Sequence, residues 1–170
     1  MTETHYKSAR EQALHVLHRV ETTGAYVSHL LADTTGNERD NNHRRDRALL
    51  EQLVKGTLDW RGRIDAVLDG VVKGGIGPLT PWIRTILRLG TYQILFLDRI
   101  PPEVAVHESV ELAKRYGHRG TTGLVNAVLR KVAAQVKAGT TPSPVSAAGQ
   151  QDEAEGIAAT YSHPLWLVRH

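Results

Sequence analysis

The sequence predicts an all-α protein, a bundle of about seven helices, on three observations. Apolar residues recur at three- and four-residue steps along most of its 170 positions, the spacing that places them on one face of a helix. No stretch shows the sustained two-residue alternation of β-branched and aromatic side chains that a strand requires. Capping residues and prolines stand before the periodic stretches and glycines stand after them.

Taken in order, Ser8 with Glu11 fits a capping box, and Ala9, Ala13, Leu14, Leu17 and Val20 mark one face of a helix that Gly24 ends. A shorter helix is expected over Tyr26 to Ala32, carrying Val27, Leu30 and Leu31, and then a polar loop from Asp33 to Asn42. From His43 to Lys73 the apolar pattern supports two helices parted or bent near Trp60 to Gly62, stopped by the glycines at 74, 75 and 77. Thr80 and Pro81 suit an N-cap and first helical position, where proline's missing N–H costs nothing. The segment that follows, Trp82 to Leu97, is apolar around most of its circumference and reads as the central core helix. Pro101 and Pro102 open a helix to Tyr116, with Glu103 at the positive end of its dipole and Gly117 after it. A last helix is expected from Thr121 to Lys137, with Leu124, Val128, Val132 and Val136 at four-residue steps, ended by Gly139.

Residues 1–138 thus read as one helical domain. Residues 139–160 mix proline, serine, small residues and the acidic cluster Asp152, Glu153 and Glu155, a composition that buries too little apolar surface to offset its ordering entropy, and they read as a linker. Residues 161–170, YSHPLWLVRH, turn strongly apolar again, and an element of two turns is marginal alone, so they are expected to begin a region of a longer protein.

With 41% hydrophobic and 23% charged residues, the chain has the balance of an ordinary globular domain. No apolar run approaches a membrane span, and no apolar segment follows the polar first ten residues, so no membrane partner is expected and the cytoplasm is the default compartment. There is no cysteine, which excludes disulfides, thiolate metal sites and cysteine nucleophiles within these 170 residues. The net charge of +3 is mild, but its distribution is uneven. From Lys114 to Lys131 there are Lys114, Arg115, Arg119, Arg130 and Lys131 and no acidic residue.

Four stretches carry a family likeness: RRDRALLEQLVKGTLDWRGRID at 44–65, LTPWIRTILRLGTYQILFLDRIPPEVAVHESVELAKRYG at 79–117, TTGLVNAVLRKVA at 121–133, and YSHPLWLVRH at 161–170. Together they resemble the N-terminal domain of the ribosomal-RNA cytosine-C5 methyltransferases called RsmB, Fmu or Sun, which is built on the NusB fold. The second and third stretches also resemble NusB itself, a free-standing antitermination factor that binds leader RNA together with a small ribosomal protein. Two features lean toward the methyltransferase: Asn126-Ala127-Val128-Leu129-Arg130 stands where NusB typically has N-G-V-L-D, and a sequence like YSHPLWLVRH leads into the catalytic domain of that family. The resemblance implies ribosomal RNA and the chain's own C-terminal methyltransferase domain as partners. S-adenosylmethionine and a cysteine nucleophile would belong to that further domain. Within this chain no glycine-rich cofactor loop is found, so no cofactor and no catalytic residue are expected in it. NusB-like folds can form homodimers, though nothing in the residues requires it.

RNA affinity comes mainly from cations on phosphate, with aromatic or guanidinium stacking on unpaired bases. Lys114, Arg115, Tyr116, His118 and Arg119 surround the turn at Gly117, beside the start of the final helix, and form the favoured patch. The plainer reading is that Lys114 and Arg115 complement the carboxyl end of their own helix. Lys7 and Arg10 correspond to the N-terminal region that binds RNA in NusB-like proteins, here thinned to mainly these two cations; a solvated helix face is the alternative. Arg44, Arg45 and Arg47 read as a solvated helix start that could steer RNA. His15 and His18 share a helix face but lack an acidic or sulfur partner, so no metal site is expected. Asn126 is expected to satisfy a loop backbone group, Trp60 and Trp82 to act as packing anchors, and Glu108 and Glu111 to form an ion-paired face with Lys114.

Overall fold

The computed structural model describes residues 8–33 and 41–140. Lys7, most of the predicted linker and the element at 161–170 lie outside them. Among the described residues there are seven helices and no strand: α1 (Ala9–Thr23), α2 (Val27–Asp33), α3 (Asn41–Asp59), α4 (Arg61–Val71), α5 (Pro81–Phe96), α6 (Pro102–Tyr116) and α7 (Arg119–Ala138). The chain divides into two compact units at Lys55 and Gly56, within α3.

In the first unit α1 starts where the cap signal predicts. The Ser8 Oγ accepts the Glu11 backbone N–H at 3.2 Å, and Gly24 closes the helix in the left-handed region at φ 69°. α1 and α2 pack on each other, and Ala13, Leu14 and Leu17 of α1 and Leu30 and Leu31 of α2 are buried. α2 begins one residue after the predicted start. α3 begins at Asn41, two residues before the predicted His43.

In the second unit α5 packs against α4, α6 and α7. Buried residues run continuously from Thr85 to Ile94, as expected of a helix with neighbours on most sides. That sequence brings polar groups inside, where a missing partner is costly; the Thr91 hydroxyl, fully buried, has none among the described residues, while its neighbours are bonded. The Thr85 hydroxyl donates to the Pro81 carbonyl at 2.6 Å, and the Gln93 amide to the Leu89 carbonyl at 3.1 Å. Arg88, only 8% exposed, donates through Nε and Nη2 to both carboxylate oxygens of Asp65 in α4, at 2.8 and 3.1 Å. Planar fork and carboxylate match, so the contact fixes the rotation of α5 against α4 as well as joining them. Thr80 precedes Pro81 as predicted, but its side chain caps nothing. Trp60, between α3 and α4, stacks on Phe96 with ring centroids 4.7 Å apart, the anchoring role expected of it.

Removing Asp65 takes the bidentate carboxylate away from the buried Arg88 guanidinium. Asp65→Ala should therefore destabilise the protein by about 3 kcal/mol. Arg88→Met, which takes the charge out and keeps apolar bulk, should cost under about 1.5 kcal/mol, because Asp65 is partly exposed and keeps Arg61 at 3.8 Å. Urea unfolding of the two variants side by side checks the order, and equal destabilisation would contradict it.

Candidate nucleic-acid interface

The turn between α6 and α7 carries five of the seven residues picked out from the sequence. Lys114, Arg115 and Tyr116 form the last turn of α6, and His118 and Arg119 open α7. Gly117 makes this close connection possible. A Cβ there would meet the Thr121 hydroxyl, Ile83 Cδ1 at 2.8 Å and the Ala113 carbonyl at 3.0 Å, so the turn lies directly on the core with no room for a side chain. The cationic residues are consequently mounted on a tightly held support.

Several of these side chains also serve the fold. His118 is the N-cap of α7: its Nδ1 accepts the Gly120 N–H at 3.1 Å, and the Thr121 hydroxyl accepts the His118 N–H at 2.9 Å. The final helix therefore begins at Arg119, two residues before the predicted Thr121. The signal for this was present as a histidine followed three residues later by threonine, a variant of the capping box. One of the N–H groups expected to be available to an anion is occupied by this cap. Tyr116 is half-buried, with its ring stacked on Trp82 at a centroid distance of 4.7 Å and an angle of 21°. The Arg115 guanidinium carbon lies 6.0 Å from the Tyr116 ring centroid, within cation–π range. The Lys114 Nζ donates to Glu111 at 2.8 Å, which meets the expected ion-paired face for Glu111 but not for Glu108, which is in no ion pair among the described residues; that hydrogen bond and charge hold the Glu111 carboxyl below the usual carboxylate range. Lys114, Arg115, His118 and Arg119 are all exposed. Lys114 and Arg115 stand where the α6 dipole is negative, so their plainer role in complementing the helix end is met at the same time.

The other candidates lie on other elements. Arg10 is half-buried in the first turn of α1, in the first unit. Arg44 and Arg45 are exposed early in α3, while Arg47 pairs with Glu51 at 3.2 Å. His15 and His18 are half-buried on α1, and among the described residues no group of three His, Cys, Asp or Glu is arranged to hold a metal ion. Burial disfavours the His18 imidazolium and lowers its pKa, with Glu21 opposing. Asn126 lies within α7, inside the helix expected from the sequence, and lines a groove against α6. Among the described residues no helix is long and apolar enough to cross a membrane.

Fold and surface together define a small all-helical domain with a cationic turn. The NusB family model matches residues 7–134, and the chain belongs to the NusB family. It is 34% identical over 163 residues to a Bacillus subtilis (strain 168) protein described as "Probable ribosomal RNA small subunit methyltransferase B", a match that covers 95% of this chain and 34% of that protein. This chain thus spans about a third of that relative's length. It is 37% identical over 125 residues to the transcription antitermination protein NusB of Rubrobacter xylanophilus, covering 73% of this chain and 86% of that one. Among solved structures, T. maritima NusB superposes with a TM-score of 0.66 at 26% identity, over 79% of this chain and 91% of that one.

Two measurements follow from the histidines. His118→Ala should lower stability by about 1 kcal/mol and His118→Asn by much less, because asparagine retains an N-cap acceptor; thermal melts should differ by about 2–4 °C. For His18, the unfolded chain takes up its proton first as pH falls below about 6.5, so stability declines through that range and levels off below the folded-state pKa. His18→Gln should flatten this part of the stability profile between about pH 7.5 and 5, and an unchanged slope would show that other groups set it.

Proposed function

We propose that this chain is the RNA-binding, targeting domain of an S-adenosylmethionine-dependent methyltransferase that makes 5-methylcytosine in small-subunit ribosomal RNA. The observation that carries this reading is the extent of the match to the Bacillus relative. At 95% of the chain, it necessarily takes in most of the sequence after Thr140, whereas the family model stops at 134. The segment following α7 is therefore shared with a protein described as a methyltransferase.

In this role the exposed cations at the α6–α7 turn bind phosphate and Arg115 offers a planar face to an unpaired base. Covalent linkage to a catalytic domain then raises the local concentration of the transcript at the reacting centre and restricts its orientation. S-adenosylmethionine supplies the methyl group in that further domain. The present chain contributes binding and placement, and it has no cysteine with which to attack a base.

A second reading, an antitermination factor binding leader RNA with a ribosomal protein, is favoured by the Rubrobacter match, which covers 86% of that NusB relative. The reading frame beyond codon 170 separates the two. Continuation into a glycine-rich cofactor loop and cysteines supports the methyltransferase, and an immediate stop supports the antitermination factor.

The RNA interface has its own test. Arg115→Ala with Arg119→Ala, titrated with small-subunit ribosomal-RNA fragments at a series of salt concentrations, should weaken binding and make the log–log salt dependence shallower by about 0.7 for each phosphate no longer neutralised. An unchanged affinity and slope in a folded double variant would remove the α6–α7 turn from the interface. Lack of binding by the wild-type chain even at low salt would leave the domain a packing role against its own catalytic half.

A further inference from the structure

α6 and α7 enclose a groove of about 750 Å³, within the size range of ligand and peptide sites. Its floor is apolar: Val106 and Val110 come from α6, and Ala133 and Val136 from α7. Along the α7 side stand Arg130 and Lys137, both exposed. Among the described residues neither is in an ion pair. The acidic residue among those lining the groove, Glu103, stands in the first turn of α6, where it complements the helix dipole. An apolar trough edged by two unneutralised cations calls for an acidic segment with apolar residues beside it.

The chain itself supplies such a segment. α7 ends at Ala138, one residue beyond groove-lining Lys137, so the polypeptide leaves the helix at the groove's end. Twelve residues after Thr140 the acidic cluster begins, with Asp152, Glu153 and Glu155, followed by Ile157, Ala158 and Ala159. The groove's α7 edge, from Asn126 to Lys137, is about 16 Å long at about 1.5 Å per residue. The intervening chain can reach roughly 40 Å when extended, so the segment can return along the whole edge without strain. A tether this short holds its end at an effective concentration of the order of millimolar, so a weak intrinsic affinity suffices.

We infer that residues 151–159 bind intramolecularly in the α6–α7 groove, with Asp152, Glu153 and Glu155 against Arg130 and Lys137 and Ile157 on the apolar floor. The consequence is that the segment leading out of the helical domain is held to a defined face of it. Whatever follows residue 160 then starts from a fixed point instead of the end of a free tether. This inference does not depend on the RNA-binding reading.

Hydrogen exchange read by mass spectrometry on the full chain tests it, in four forms: wild type; Arg130→Glu with Lys137→Glu; Asp152→Lys with Glu153→Lys and Glu155→Lys; and all five together. Docking populated about four-fifths of the time slows amide exchange in 151–159 about fivefold relative to either single-sided reversal. The variant carrying all five substitutions, with charges exchanged across the contact, should recover the slowing. All substituted groove residues are exposed, and the tail reversal leaves every described helix untouched, so that arm reports even where the groove reversal harms folding. The inference is overturned if 151–159 exchange equally fast in wild type and in the tail reversal, or if exchanging the charges on both sides fails to restore protection. It is likewise overturned if the groove becomes protected only on adding a ribosomal-RNA fragment, which would make Arg130 and Lys137 phosphate contacts.

Discussion

The burial of α5 is the constraint on which the second unit depends. A helix buried without a break from Thr85 to Ile94 has to be enclosed by others, and α4, α6 and α7 do this. Its polar residues make the enclosure specific. Apolar packing is not directional, whereas the Arg88 fork meets both carboxylate oxygens of Asp65 and so favours one placement of α5 on α4. Arg88 is 8% exposed, so its charge is met inside the bundle, by Asp65 of α4.

The same packing presents the candidate interface. Because Gly117 lies against Ile83 of α5, the α6–α7 turn is part of the core on one side and surface on the other. Residues chosen from the sequence for their chemistry turn out to have two sets of duties. His118 holds the start of α7, Tyr116 covers Trp82, and Lys114 is paired with Glu111. An interface built this way is preorganised: fewer rotatable side chains remain to be immobilised when a polyanion arrives, which lowers the entropic cost of binding. The arrangement also means that substitutions at His118 or Tyr116 report on folding as well as on recognition, while Arg119 is the more direct probe of charge.

Membership of the NusB family accounts for the helices but leaves the biology divided between two kinds of relative. Both share the helical domain. Beyond it they differ in extent, since this chain matches about a third of the Bacillus protein and 86% of the Rubrobacter protein. The helical bundle is common to both kinds of relative and does not by itself separate them.

Most of the helical architecture was legible from the residues because it rests on local physics. Period, caps and stop residues act within a few positions of one another, so Ser8, Gly24, Pro81, Pro102 and Gly139 marked their boundaries closely. The clustering of Lys114, Arg115, Tyr116, His118 and Arg119 was equally visible, since one turn joins them. What tertiary structure alone decided involves partners distant in sequence or choices between rival uses of one side chain. Asp65 and Arg88 are 23 residues apart, and no periodicity announces their meeting. That Asn126 lines a groove depends on the approach of α6 to α7. The sequence by itself thus determined the elements and the position of their charge, and the packing of α6 and α7 on α5 determined which of those charges face solvent, because burial and pairing are properties of neighbours brought together by the fold.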